Sequence, residues 1–244
     1  MPYTESYDIL GNDCDLNDML RPSKVLRYMQ ETANRQMSAC GPSYNDLFKR
    51  GLAFILSRIT VVYYDQLHPY DKISVETWPS ESKSLVFPRF YRIIRDNKTV
   101  MEGASSWALV NIENRTLVRA TEIDLSNYQF TEPLELPLRF KIPSELKFEE
   151  CKAHTVEYSQ IDCNRHMNNT NYPDMLCNRI PEIEAKEIKS FSINFLSDAP
   201  FKETVKVLRY DAENENGEST YYFKTLKVDV TNVEAKVVTK AINS

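Results

Sequence analysis

The stretches VLRYMQETANRQMSA (residues 25–39) and AFILSRITVVYY (residues 53–64) decide the fold of this chain. In the first, apolar side chains recur three to four residues apart, which predicts an amphipathic helix. Pro22 stands at its start, Ser23 is a candidate cap and Gly41-Pro42 stops it. The second stretch is rich in β-branched and aromatic residues, which predicts a long strand. The chain therefore places a long helix shortly before a long strand, with a short helix expected at Tyr44–Lys49.

Further strands are predicted on either side of this helix and strand. Tyr3–Ile9 precedes the helix, and Lys72–Trp78, Leu85–Arg95 and Val100–Ile112 follow the long strand. Asp96-Asn97 is a turn signal between the last two. Alternation of apolar and polar residues gives such strands one buried face, which we expect to pack against the helix.

The same order of elements begins again after residue 150. A strand is predicted at Lys152–Tyr158, then a polar loop and a shorter helix near Tyr172-Pro173. Four strands complete the series, at Ile188–Leu196, Thr204–Tyr210, Thr220–Val230 and Val233–Ala241. Residues 120–150 between the halves carry three prolines and are predicted to cross a surface as a linker.

Two polar loops can be aligned between the halves. Asp15-x-Asn17-x-Met19 matches Asp162-x-Asn164-x-His166, and each loop follows a strand and precedes a helix. An internal duplication accounts for this most simply. The predicted fold class is α+β, with two tandem hotdog domains, each a long helix wrapped by a curved antiparallel sheet. The expected division is a first domain at 1–125, a linker at 126–150 and a second domain at 151–244.

Composition limits the classes of function. The 244 residues are 42% hydrophobic and carry a net charge of -5, so a nucleic-acid binder with a basic surface is disfavoured. The five cysteines form no CxxC pair, which favours free thiols in a reducing cytosol. We expect a cytoplasmic protein, since no signal peptide or membrane span is visible. The five glycines form no nucleotide-binding or α/β-hydrolase motif, and the cysteine spacing makes a zinc site unlikely.

The loop at 162–169 concentrates the candidate chemistry. His166 can exchange a proton near neutral pH, Asp162 can orient it, and Asn164 can donate a hydrogen bond to a developing oxyanion. Asp and Asn also commonly cap a following helix, and this spacing alone is compatible with that simpler role. We expect the thiol of Cys163 to be buried and inert.

The motif Asp162-x-Asn164-x-His166-x-x-Asn169 resembles the active-site motif of acyl carrier protein (ACP) thioesterases. Val75-Glu76-Thr77-Trp78 and Gly103-Ala104-Ser105-Ser106-Trp107 resemble the family's N-terminal sheet signatures. The resemblance implies hydrolysis of a fatty acyl thioester without a metal or organic cofactor, either by water that His166 activates or through a carboxylate that acts as a covalent nucleophile. It also implies a catalytic second half and a binding first half that lacks histidine in its loop. The family also carries an acidic residue on the strand after the motif helix. Asp198 stands there, one methylene shorter than the family's usual Glu, with Ala199 where plant-type members have Cys.

The resemblance further implies a carrier protein, with its phosphopantetheine-linked acyl chain, as partner. Candidate basic contacts are predicted in both halves, and candidate apolar tunnel walls in the first half. The alternative functions are an acyl-CoA thioesterase, a hotdog hydratase and a non-catalytic acyl-binding module. Whether the chain forms a homodimer stays open. The basic candidates are Arg21, Lys24, Arg27, Lys186 and Lys189; the apolar candidates are Met19, Leu26, Met29, Met37, Phe54 and Leu56.

Overall fold

The computed structural model describes residues 1–81 and 85–242, so the last two residues of the predicted second domain lie outside the described part. Its α-helices are α1 (Pro22–Cys40), α2 (Tyr44–Lys49) and α3 (Tyr172–Cys177). The first-half strands are β1 (Tyr3–Asp8), β2 (Leu52–Tyr63), β3 (Lys72–Pro79), β4 (Phe87–Arg95), β5 (Lys98–Asn111) and β6 (Leu117–Val118). The second-half strands are β7 (Glu149–Thr155), β8 (Lys186–Phe195), β9 (Thr204–Glu215), β10 (Glu218–Lys227) and β11 (Val230–Ala241).

All of these strands belong to one antiparallel sheet. The order across it is β1-β3-β4-β5-β2-β8-β11-β10-β9-β7, with β6 paired to β5. Each half thus follows the same order, since β7, β9, β10, β11 and β8 stand where β1, β3, β4, β5 and β2 stand in the first. The halves meet at β2 and β8, where the buried hydroxyls of Thr60 and Ser192 lie 2.9 Å apart.

Helix α1 packs its apolar stripe on the inner face of the first-half strands. Val25, Leu26 and Met29 are buried there, as the helical spacing predicts. Gly103 permits this close approach, because a Cβ at that position would lie 3.1 Å from Cε of Met29. The helix ends at Cys40, and Gly41 follows with φ of 67°.

The start of α1 differs from the sequence expectation. Ser23 lies inside the helix, and no side chain of α1 caps its first turn. Asp174 of α3 does so from the other half, since its two carboxylate oxygens accept from the Ser23 backbone N–H at 2.8 Å and from its hydroxyl at 2.5 Å. A helix N-terminus needs such an acceptor, and here it comes from about 150 residues away in sequence.

Two other expectations need correction in the second half. Its helix α3 has six residues, so only the first half contains a long helix among the described residues. The chain also turns earlier than predicted after β10: Val228 has φ of 55°, and β11 begins at Val230. The buried Asn232 therefore lies inside a strand, where its side chain accepts a bond from Thr225.

The segment at 126–148 crosses the outer face of the first-half strands. Leu134, Leu136 and Leu138 pack on a small buried cluster that includes Trp78 and Phe90. The Trp78 indole N–H donates to the carbonyl of Glu132 at 3.0 Å, which fixes the crossing. The predicted linker is thus an ordered segment with its own apolar contacts.

Candidate active site

The loop that carries Asp162, Asn164 and His166 is a tight turn closed by its own backbone. Oδ1 of Asp162 accepts the N–H of Asn164 at 2.8 Å, and the Asp162 N–H donates to the carbonyl of His166 at 3.1 Å. Arg165 takes the left-handed conformation at the corner, with φ of 66°. Asp162 therefore organises the loop backbone, which is the short-range role typical of Asp in turns.

The first-half loop has both of these hydrogen bonds, and Oδ1 of Asp15 also accepts the N–H of Met19 at 3.1 Å. Oδ1 of Asp15 accepts the N–H of Asn17 at 2.8 Å, and the Asp15 N–H donates to the Met19 carbonyl at 2.8 Å. Asp18 takes the corner conformation of Arg165, with φ of 56°. The alignment made from the sequence therefore matches the geometry, and the loops differ mainly in Met19, which stands where His166 stands.

His166 is positioned by contacts with the segment that follows β8. His166 pairs with Pro200 in an isolated antiparallel bridge, which brings its imidazole to the segment after β8. Nε2 of His166 lies 3.0 Å from Oδ2 of Asp198, and both side chains are a little under half exposed. The predicted fourth member thus contacts the imidazole directly, whereas no side-chain contact between Asp162 and His166 is found in the described part of the chain.

Lys227 completes this arrangement. Its ammonium group donates to the Asp198 carbonyl at 2.9 Å and to Oδ1 of Asp198 at 3.2 Å. Burial acts to raise the pKa of Asp198, but Lys227 and His166 outweigh it and hold that pKa below its ordinary value. Asp198 is therefore a carboxylate at neutral pH, with one oxygen on Lys227 and the other on His166.

Asn164 is contacted by the other half. The Tyr44 hydroxyl at the start of α2 lies 3.4 Å from Oδ1 of Asn164 and 3.8 Å from Sγ of Cys163. Cys163 is exposed, which corrects the expectation of a buried thiol. Asn164 is exposed too, so its amide is accessible from solvent.

The remaining polar residues of the motif shape the turn that leads into α3. Asn168 accepts the Thr170 N–H at 2.9 Å and the Thr170 hydroxyl at 2.8 Å, which caps the 3-10 turn at Asn169–Asn171. This capping role is the simpler interpretation considered for the loop, and it applies to Asn168. No cluster of three or more His, Cys, Asp or Glu that could hold a metal ion occurs within residues 1–81 and 85–242.

Sequence reasoning missed two members of this site, Lys227 and Tyr44. Lys227 ends β10 and Tyr44 begins α2, so neither lies near the motif in sequence. The basic residues predicted for carrier contact also have partners within the chain, and their contact with a carrier stays a prediction. Lys24 lies 2.6 Å from Asp13, for example, and Arg27 donates to Asn171 at 3.0 Å.

Comparison with known proteins extends over nearly the whole chain. The model of the acyl-ACP thioesterase N-terminal domain matches residues 1–127, and that of the acyl-ACP thioesterase C-terminal domain matches residues 144–240. Oleoyl-acyl carrier protein thioesterase 2 from Arabidopsis thaliana is 22% identical over 218 residues, which cover 79% of this chain and 58% of the relative. The chain spans about half the length of the curated relatives it matches.

Solved structures show the same fold. An acyl-ACP thioesterase from Bacteroides thetaiotaomicron superposes with a TM-score of 0.82 at 21% identity, covering 97% of both chains. The 12:0-ACP thioesterase from Umbellularia californica gives a TM-score of 0.78 at 16% identity, over 98% of this chain and 97% of the other. In the described residues, no helix is both long and apolar enough to cross a membrane.

Proposed function

Because this chain belongs to the acyl-ACP thioesterase family, we propose that it hydrolyses fatty acyl-ACP to free fatty acid and ACP, ending chain elongation in fatty acid biosynthesis. The observation that carries the proposal is the contact of His166 with Asp198 beside the exposed amide of Asn164. Together they provide a base, its charged partner and a hydrogen-bond donor, which thioester hydrolysis requires.

In this mechanism His166 is the general base. Its Nε2–H donates to Asp198, so the lone pair lies on Nδ1, which takes a proton from water. The water oxygen forms a bond to the thioester carbonyl carbon, and the carbonyl oxygen becomes an oxyanion that the Asn164 amide stabilises. Collapse of this intermediate breaks the C–S bond. The imidazolium returns its proton to the leaving pantetheine thiolate, giving a free acid and a thiol.

Asp198 stabilises the imidazolium as it forms. Its position between Lys227 and His166 keeps it ionised and fixes the ring orientation, the task assigned to Asp162 from the sequence. Asp162 supports the site by closing the loop that presents Asn164. No step requires a cofactor.

We assign the acyl chain to the apolar cluster beside α2. Leu47 of α2 is buried there with Leu52 and Phe87, and Met37 and Phe54 pack against them. The Phe54 and Phe87 rings meet edge to face with centroids 5.0 Å apart. Helix α2 also supplies Tyr44 to the catalytic loop, so the same short helix contributes to this cluster and contacts Asn164. Leu26, Met29 and Leu56, also predicted as walls, are instead buried in the main core.

The domain plan is part of the same proposal. Two tandem hotdog units, at 1–125 and 151–244 with a linker at 126–150, are supported by the shared strand order and by the matching loops. The first unit binds the acyl chain and the second carries the chemistry. Free cysteines support a reducing, cytoplasmic location. A homodimer remains a prediction.

The test is a hydrolysis assay with acyl-ACPs and acyl-CoAs of several chain lengths, which measures release of fatty acid and free thiol. We expect acyl-ACP turnover, with kcat/KM lowered about 100-fold or more in His166→Ala and in Asn164→Ala. His68→Ala is the matched control, because His68 contacts the carbonyl of Asp18 in the first-half loop. Full activity of His166→Ala would refute the site, and turnover of acyl-CoA alone would refute the carrier.

A further inference from the structure

We infer that Tyr44 is a positioning residue that sets the amide orientation of Asn164, so that the first half of the chain completes the catalytic loop of the second. This inference rests on the proposed function, because it explains how Asn164 comes to present its amide N–H groups to substrate. The evidence is the contact of the Tyr44 hydroxyl with Oδ1 of Asn164 at 3.4 Å.

An asparagine amide has an acceptor end and a donor end, and only the donor end stabilises an oxyanion. The Tyr44 O–H donates to Oδ1 of Asn164, which directs the Nδ2 group away from Tyr44. Sγ of Cys163 lies 3.8 Å from the same hydroxyl, and sulfur is only a weak acceptor. The carbonyl oxygen of the Asn164 amide is the closer and stronger acceptor for the Tyr44 proton.

The matching loop of the first half shows the opposite arrangement. Asn17 is also contacted from the other half, but there Nδ2 of Asn17 donates to the carbonyl of Glu184 at 2.8 Å. One amide N–H of Asn17 is thus bonded to the protein and cannot donate to another group. In Asn164 the protein instead donates to the amide oxygen, and the amide N–H groups stay free to donate. The two loops share their backbone hydrogen bonds, so the difference arises from the group that each opposite half supplies.

Contacts within α2 orient the exposed side chain of Tyr44. Its ring stacks on Phe48 one turn later in α2, with centroids 6.1 Å apart. The helix begins with a capping box between Ser43 and Asp46. Burial, followed by the contact with Cys163, raises the pKa of the Tyr44 phenol, so the hydroxyl stays protonated at working pH.

Tyr44→Phe is the direct test, since it removes the hydroxyl and keeps the ring on Phe48. We expect kcat for acyl-ACP to fall about fivefold, equivalent to the roughly 1 kcal/mol of one net hydrogen bond, with KM changed less than about twofold. Tyr64→Phe is the control, because that hydroxyl contacts Glu102 at 2.9 Å and not Asn164. Its kcat should match the wild type.

A double-mutant cycle separates positioning from general support of the fold. In an Asn164→Ala background, Tyr44→Phe should have no further effect on kcat, because the group it orients is gone. An equal loss in both backgrounds, or a Tyr44→Phe enzyme as fast as Tyr64→Phe, would overturn the inference.

A readout independent of turnover is the side-chain amide signal of Asn164, assigned in ¹⁵N NMR spectra by its absence in Asn164→Ala. We expect this signal to shift in Tyr44→Phe and to stay in place in Tyr64→Phe. An unchanged signal in Tyr44→Phe contradicts the inference. Absence of wild-type hydrolysis with both carriers would refute the proposed function instead, and the amide signal would still decide whether Tyr44 orients Asn164.

Discussion

The contact between Asp174 and Ser23 gives a quantitative prediction about how the two halves are held together. Asp174 accepts both the backbone N–H and the hydroxyl of Ser23 at the N-terminus of α1, and Ser23 is only 3% exposed. Asp174→Ala leaves two buried donors without an acceptor, and water has little access to replace it. Asp174→Asn keeps the shape, since its Oδ1 can accept the N–H and its Nδ2 can donate to the hydroxyl oxygen.

The free-energy cost follows from these contacts. A buried donor that loses its partner costs about 1–3 kcal/mol, and loss of a helix cap about 1 kcal/mol. Part of this cost is offset, because the substitution also removes a buried carboxylate. Burial raises the pKa of Asp174, so its charged form is itself disfavoured in the folded state. We therefore expect Asp174→Ala to lose about 2–3 kcal/mol of unfolding free energy, and Asp174→Asn less than about 1 kcal/mol. For a chain of this size, the first value lowers Tm by roughly 4–12 °C.

The pH dependence has a defined sign. Because the folded pKa of Asp174 is raised, the folded state favours the protonated carboxyl. Its contribution is fully present below the ordinary pKa of about 3.9 and is lost as pH rises through the raised folded value. Asp174→Asn has no such titration. The stability of the wild type relative to Asp174→Asn should therefore be highest at low pH and decline toward neutrality.

Urea unfolding at several pH values, followed by circular dichroism, measures both effects. Asp124→Ala is the matched control, because Asp124 accepts the Ser126 N–H in an exposed turn and its loss should cost little. The reasoning is refuted if Asp174→Ala is as stable as Asp174→Asn. It is equally refuted if the difference between wild type and Asp174→Asn rises with pH.

Three further predictions concern the candidate site. Lys227→Met should raise the pKa of Asp198 toward its ordinary value, because it removes the ammonium group from Oδ1, and a ¹³C NMR titration of the Asp198 carboxyl group between pH 2 and 6 measures the change. An unchanged titration of this carboxyl group would show that Lys227 does not stabilise its charge. Asp198→Asn should lower kcat about tenfold or more, with KM nearly constant, since it removes the charge that stabilises the His166 imidazolium; a change in KM alone would contradict this role. Met19→His should leave turnover per chain within about twofold of wild type. Gln66 lies three residues after the end of β2, the position that Asp198 takes after β8, and its amide is bonded to the carbonyl of Ile188, so the introduced imidazole would have no carboxylate there. A doubled or higher kcat would show that the first half can gain a working site.

Much of the secondary structure could be predicted from local sequence patterns. The apolar spacing in α1 and the composition of β2 specified these elements because helix and strand periodicity arise from neighbouring residues. The Asp-x-Asn loops were matched correctly because their hydrogen bonds join residues at most four apart. The prediction of a long helix in the second half was wrong. The repeated order of elements carries no information about helix length, and α3 ends after six residues.

The sequence by itself determined the helix, most of the strands, the internal repeat and a loop that presents Asn164 and His166. All of these follow from short-range periodicity, turn chemistry and residue type. Only the tertiary structure decided which groups meet that loop. Asp198 is 32 residues from His166 in sequence, and Tyr44 is 120 residues from Asn164. The contact of Asp198 with His166 depends on how the segment after β8 pairs with the loop, and that of Tyr44 with Asn164 depends on how the sheet joins the two halves at β2 and β8. The pairing of such distant segments is set by packing of the whole chain.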